Sequence, residues 1–345
     1  MIIKENIIKK NIFLSICIPT FNRSDKTLDL VRNLLSYKQN DIEVVVLDNC
    51  STDDTQLLLS EIKDERLIYI RNEQNIGSMP NVLKSLTHGE GEFVLLCLDK
   101  DRIVTENLPY LIRRIRDDNE VVLGQCALNT NYFEKDIVYD KGLLSIKYLA
   151  YTSEHPSGLF IKRSLLNNAG IINKIIDTNK SFAFNTELLK AEMSILGKSK
   201  RINIPLIYTE TLAVCEKELS HTYKGDNIYF FPKKIIETFN IYIQNLYSLN
   251  LPKNHKRIVS KYIYISLLNA STSGFKNIMK NRSICTHHGI DSHNVGFGEL
   301  LLAYKNFNIN FFSKENKEDF FWKIRSFVSL NSKIIVKLIA LKLKK

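Results

Sequence analysis

The sequence predicts an α/β fold, a mostly parallel sheet with helices on both faces followed by a smaller helical C-terminal region. Three observations carry that prediction. Short apolar, often β-branched runs alternate with helical stretches through the first half of the chain. Polar clusters rich in Asp, Asn and Thr stand directly after those runs. From about Lys217 onward strand signals fade, and apolar residues at helical spacing take over.

Leu14 to Ile18 reads as the first strand. The run Ile12 to Ile18 follows lysines, as in a signal peptide, but it is short and meets Pro19 and Arg23 instead of a small-residue cleavage site. Ser24 is placed to cap a helix running to about Tyr37, and Ile42 to Leu47 reads as a fully buried second strand. Ser51 to Asp54 caps the next helix, and Leu67 to Ile70 is a third strand. Ser78 with Pro80 opens a helix ending near Gly89, and Phe93 to Leu98 is a fourth strand that runs into Asp99, Lys100 and Asp101. Val121 to Leu128, Tyr132 to Tyr139 and Ser157 to Lys162 read as further strands after another helix. Beyond them, Pro232, Pro252 and Asn281 punctuate helical segments such as the one carrying Ile235, Phe239, Tyr242 and Leu246. This organisation divides the chain at about Cys215, into an α/β domain of residues 1–215 and a helical region of residues 216–345.

With 44% hydrophobic residues and only 13 Gly and 7 Pro in 345 residues, the chain can bury a core and is not disordered. Its six cysteines lack paired spacings, and the expectation is reduced thiols in a cytoplasmic protein. No window holds the roughly 18 apolar residues a spanning helix needs, so a soluble or surface-bound protein is expected. The formal net charge of +11 implies anionic partners, and Ser313 to Lys345 alone carries nine Lys/Arg against three Asp/Glu. In that tail Phe320, Ile324, Phe327 and Val328, then Ile335, Leu338 and Ile339, recur at the helical period. A basic amphipathic helix of this kind fits an anionic membrane surface, on the inner face of the plasma membrane, and equally the flank of the folded domain. No aromatic-plus-basic nucleic-acid motif occurs, so no nucleic-acid partner is expected. The oligomeric state is not legible.

In an open parallel sheet, ligands bind beyond the carboxyl ends of the strands. The residues there are Pro19-Thr20-Phe21-Asn22-Arg23, Asp48-Asn49 and Asp99-Lys100-Asp101. Two carboxylates one residue apart at a sheet mouth suit a divalent cation that keeps positions open for water and phosphate oxygens. The D-x-D triplet is weak evidence alone, and its position directly after a purely hydrophobic strand is what strengthens it.

Four segments, LSICIPTFNR (Leu14 to Arg23), IEVVVLDNCSTDDT (Ile42 to Thr55), NEQNIGSMPN (Asn72 to Asn81) and GEFVLLCLDKD (Gly91 to Asp101), together resemble glycosyltransferase family 2, the GT-A family of inverting sugar transferases. The resemblance implies a nucleotide-sugar donor, UDP foremost, and a glycan or lipid-linked acceptor of surface-polysaccharide type. Pro19, Thr20, Asn22 and Arg23 would line the nucleotide pocket, Asp48 would accept a hydrogen bond from a uracil-like base, and Asn75 and Gly77 would form the loop beside it. Asp99 and Asp101 would hold Mn²⁺ or Mg²⁺ against the donor diphosphate, Asp101 more directly. Lys100 departs from the commoner all-aspartate run.

The resemblance also places an acidic base in the acceptor half, where Glu187 is the candidate; its rival reading is a helix first-turn acid. Asp177 is the second choice for the base. His221 could complete the metal shell, although a lone His is more often structural. Cys285, His287, His288 and His293 match no zinc spacing and are set aside. Of the rival functions, a sugar-phosphate nucleotidylyltransferase lacks support because PTFNR contains no glycine. A non-catalytic glycan- or nucleic-acid-binding protein with a degenerate site is the alternative from another class.

Overall fold

The chain follows a β-α-β-α-β-α-β order from its first strand, as far as β4, and the computed structural model describes residues 12–128, 135–168, 170–179, 182, 184–208 and 232–280, with 298, 302, 305 and 309. The described residues fall into two compact units, those of Met1–Cys215 with Asn245–Val259 and those of Glu216–Gln244 with Ser260–Lys345. The stretch Asn245–Val259 thus groups with the α/β unit, whereas the sequence division at Cys215 assigned it to the helical region.

In the first unit, β1 (Leu14–Thr20), β2 (Ile42–Asp48), β3 (Leu67–Arg71) and β4 (Phe93–Leu96) pair in parallel, with β1 between β2 and β4. Every residue of β1, β2 and β4 is buried, which explains why their sequences are apolar runs rather than alternations. Each fully buried Leu or Ile contributes about 1.5–3 kcal/mol through removal from water. Helix α1 (Ser24–Leu35) turns Leu28, Val31, Leu34 and Leu35 onto this sheet, and α2 (Thr55–Ser60) adds Leu59.

Ser24 is not the cap that the sequence led one to expect. It is the first residue of α1, and its N–H is satisfied from another segment, by Asp53 Oδ2 at 3.0 Å. Asp53 Oδ1 meanwhile accepts from the Thr55 N–H and hydroxyl at 3.2 and 2.5 Å. One carboxylate therefore serves the N-termini of two helices, and these bonds lower its pKa against the opposing effect of burial. Helix α3 (Ser78–Ser85) starts after Gly77, whose φ of +95° is a conformation glycine adopts without strain.

The rest of the sheet is mixed. β5 (Arg102–Ile103), β6 (Val121–Leu128), β7 (Ile137–Tyr139), β8 (Leu159–Lys162) and β9 (Lys198–Tyr208) extend it to the order β3-β2-β1-β4-β8-β6-β9-β5, with β7 also on β9. β8 runs antiparallel to both β4 and β6, while β9 runs parallel to β6. Gly124 is what lets these strands close up, since a Cβ there would lie 2.2 Å from both Lys200 O and the Phe160 ring. Helices α4 (Leu108–Arg116), α5 (Leu143–Leu149), α6 (Arg163–Asn168), α7 (Ile171–Asn179) and α8 (Asn185–Ser194) connect these strands.

Two longer helices follow, α9 (Pro232–Ser248) and α10 (Lys253–Lys280). Within the second unit, Phe239 of α9 meets Tyr264 of α10 edge to face at 6.5 Å, and Tyr242 is fully buried. No helix among the described residues is long and apolar enough to cross a membrane. His221, the Cys285/His287/His288/His293 group and the basic tail lie outside the described residues.

Candidate active site

Strands β2 and β3 lie on one side of β1 and β4 on the other, so the strand order reverses between β1 and β4. A crevice at such a reversal, beyond the carboxyl ends, is where open α/β sheets take ligands. Two of the candidate segments meet there. Thr20, the last residue of β1, donates from Oγ1 to Asp99 Oδ2 at 3.0 Å and lies 2.8 Å from the Thr27 hydroxyl. Arg23 Nη1 donates to Asp99 Oδ1 at 2.7 Å.

Asn22, in the left-handed region at φ +52°, fastens this loop to the next one. Its N–H donates to Ser51 Oγ at 2.9 Å, and its Oδ1 accepts from Thr52 N at 2.7 Å. Pro19 is buried just before it, in register with Leu47 of β2.

Asp48, the residue expected to accept from a uracil-like base, ends β2. It is fully buried, with Oδ1 accepting from the Ser51 N–H and hydroxyl at 2.9 and 2.6 Å, and Oδ2 from Tyr69 OH at 2.7 Å and Arg71 Nη1 at 3.1 Å. It orders the turn after β2 and holds Arg71, and together with burial it raises the pKa of the Tyr69 phenol.

The third segment is built on asparagines. Asn75 Oδ1 accepts from Asn49 Nδ2 at 2.9 Å and from Gly77 N at 2.8 Å, and Asn49 Oδ1 accepts from Ile76 N at 3.0 Å. Asn72 Nδ2 donates to Asn49 Oδ1 at 3.2 Å and to Asn81 Oδ1 at 2.8 Å, while Asn81 Nδ2 reaches Leu47 O at 3.1 Å. The buried Asn49, Asn72 and Asn81 thus carry the loop of exposed Asn75 and half-buried Ile76 and Gly77. All three asparagines lie inside the segments that resemble the family, and the density of Asn around NEQNIGSMPN is the signal that could have found them.

Asp101 is 2% exposed and Asp99 5%, an arrangement that is costly for carboxylates unless they are matched. Asp101 Oδ2 accepts a hydrogen bond from Ser157 Oγ, and Ser157 Oγ in turn accepts from Leu98 N at 2.9 Å. His155 Nε2 lies 3.5 Å from the same Asp101 oxygen. Its Nδ1 accepts from Ser157 N at 3.3 Å, which puts the proton of the neutral ring on Nε2, toward the carboxylate. Burial, with Lys100 and Lys190 nearby, lowers the His155 pKa to about 4, so the ring is neutral at physiological pH. Behind the pair, burial together with Asp101 and Asp99 raises the Cys97 pKa, leaving an inert thiol. Ser157 and His155 were missed in the sequence because they precede β8 and become neighbours of Asp101 only through the β4–β8 pairing.

Among the described residues no group of three His, Cys, Asp or Glu side chains could hold a metal ion. Two hard carboxylates still suit Mg²⁺ or Mn²⁺, which commonly take one or two protein carboxylates and complete their shell with water and phosphate oxygens.

Glu187 sits in the first turn of α8 and is fully buried. Its Oε2 accepts from Thr152 N at 2.7 Å and Thr152 Oγ1 at 3.2 Å, and its Oε1 from Lys190 Nζ at 2.9 Å. Lys190 lies 3.9 Å from Glu154, which Arg201 holds at 2.6 Å, so two acids and two bases alternate beneath the loop before β8. That loop is tightly folded, with Tyr151 and Ser153 at φ +58° and +55°. Asp177, by contrast, is exposed, and it shares a cavity of about 410 Å³ with Ile76, Pro80, Lys84 and Ile176, beside the Asn75–Gly77 loop.

A parallel half-sheet with a carboxylate pair at its switch point, continued by strands of mixed direction, is the GT-A arrangement that the sequence resemblance implied. The sequence profile of Glycosyl transferase family 2 matches residues 15–187, and the chain belongs to that family. It is 26% identical over 271 residues to the GalNAc(5)-diNAcBac-PP-undecaprenol beta-1,3-glucosyltransferase of Campylobacter jejuni, covering 71% of this chain and 85% of that one. It is 25% identical over 224 residues to a poly-beta-1,6-N-acetyl-D-glucosamine synthase of Staphylococcus aureus, covering 62% of this chain and only 51% of the synthase. In structure it resembles S. aureus TarS residues 1–349 in complex with UDP, with a TM-score of 0.58 at 17% identity over 94% of this chain and 92% of that one.

Proposed function

We propose that the chain transfers a sugar, with inversion, from a UDP-sugar to a hydroxyl of a lipid-linked or growing surface glycan, using residues 1–215 as its catalytic domain. The observation that carries this reading is the buried Asp99 and Asp101 at the β1/β4 switch point, with Asp99 bonded to Thr20 and Arg23 of the segment that would line the donor. The relative named for a PP-undecaprenol glycan supports the acceptor class. The TarS structure with UDP-GlcNAc, 17% identical, makes uridine donors the first to try.

Asp99 and Asp101 would hold Mn²⁺ or Mg²⁺, which when bound offsets the charge gathering on the departing nucleoside diphosphate. Thr20, Asn22, Arg23, Asn75 and Gly77 face the nucleotide, and Asp48 shapes that surface from below through Ser51, Tyr69 and Arg71. Ser157 and His155 fix the rotamer of Asp101, and the neutral ring adds no charge beside the metal. Glu187 is our candidate base for the acceptor hydroxyl. It can act only when the loop carrying Thr152 lifts, because in the arrangement described it has no exposed surface. Asp177 is the open alternative. The basic tail would hold the enzyme at an anionic membrane surface, near a lipid-linked acceptor.

A panel of UDP-, GDP-, CMP- and dTDP-sugars, assayed for nucleotide release with and without Mn²⁺, tests the reading. One or more UDP-sugars should turn over in Mn²⁺ and stall in chelator. A preference for a CMP-sugar, or indifference to chelator, would reject it.

A further inference from the structure

Asp99 is already neutralised from within the chain, and its two partners differ in a way that matters. Thr20 is 2% exposed and fixed by its second contact, to Thr27. Arg23 stands at the N-cap of α1, is 38% exposed along its side chain, and reaches Asp99 over 2.7 Å from the solvent side. A carboxylate buried to this degree needs a counter-charge at all times, including before any ligand arrives. A dication and a guanidinium, however, repel one another strongly a few ångströms apart, so they cannot share one carboxylate cheaply.

We infer that Arg23 is an exchangeable counter-ion. It neutralises Asp99 in the ligand-free protein and gives that carboxylate up to a divalent cation when a nucleoside diphosphate arrives, its planar fork then pairing with phosphate oxygens. This rests on the proposed reading of the site as a metal and nucleotide-sugar site. No bond is made or broken, and the ion pairs balance: carboxylate with guanidinium before, carboxylate with metal and guanidinium with phosphate after. Two consequences follow for binding. Metal alone competes with Arg23 and binds weakly. Nucleotide and metal then tighten one another beyond their direct contact, equally in both directions.

The test is Mn²⁺ binding to the full chain, read from the EPR signal of free Mn²⁺, with and without UDP, for the parent, Arg23→Gln and Arg23→Lys. Arg23→Gln should bind Mn²⁺ alone at least about tenfold tighter, because a unit charge has left the neighbourhood of a dication. In saturating Mn²⁺ the same variant should bind UDP about tenfold or more weaker, having lost a charge-assisted phosphate contact. Arg23→Lys, which keeps the charge, should retain the weak metal binding of the parent. The opposite movement of the two constants is the signature, since a residue that merely lined the pocket would change UDP affinity alone. Metal affinity in Arg23→Gln equal to or weaker than that of the parent overturns the exchange. Absence of Mn²⁺ binding in every form, with UDP present, overturns the metal reading of the site and the exchange with it.

Discussion

Glu187 and Asp177 illustrate how much a single residue's surroundings decide. Both are acids in the proposed acceptor half, but Glu187 is buried between Lys190 and Thr152 while Asp177 stands open beside the Asn75–Gly77 loop. Glu187→Gln alone would leave Lys190 buried against one fewer acid, a change that typically costs about 3–5 kcal/mol, so a loss of activity in that variant would be ambiguous. The informative variant is Glu187→Gln with Lys190→Met, which removes both charges at similar volume. If Glu187 is the base, this pair should melt near the parent temperature and bind UDP normally, yet turn over roughly 10²–10⁴-fold more slowly. Recovery of turnover in the double variant would make Glu187 a brace for the Thr152 loop and pass the role to Asp177.

At the scale of elements, the parallel half-sheet was legible and the remainder much less so. Strands β1, β2 and β4 are buried on both faces, so each appears as an apolar run followed by the polar residues of the candidate site, and period and position speak together; the half-buried β3 is a shorter run of the same kind. β9 was not foreseen, because KSKRINIPLIY opens on three basic residues and contains Pro205; its buried Lys200 bonds the Arg114 carbonyl, and its buried Arg201 bonds the Tyr148 carbonyl and Glu154. The expected strand Phe93 to Leu98 ends at Leu96, where the chain bends to bring Leu98 N to Ser157. The tail from Ser313 to Lys345 is legible only as a pattern, and its proposed membrane role makes a distinct prediction. Deleting it should abolish salt-sensitive sedimentation with anionic liposomes while leaving hydrolysis of a soluble donor intact. An insoluble truncated protein would place those apolar residues in the core instead.

For the whole molecule, the four donor-side segments are distant in sequence and meet because the sheet order reverses between β1 and β4. The motifs that converge there also made the family readable from the residues. The supports of Asp101 were not readable, since Ser157 and His155 lie more than fifty residues away and arrive through an antiparallel pairing that no local pattern announces. The central claim is that Asp99 and Asp101 bring a dication to a nucleoside diphosphate, and Asp101→Asn tests it most directly. Measured as UDP release from the preferred UDP-sugar across a Mn²⁺ titration, the variant should fold normally and lose Mn²⁺-stimulated turnover by about 10²-fold or more, with UDP binding weakened in parallel. Parent-like turnover with the parent's Mn²⁺ dependence in Asp101→Asn would contradict the account.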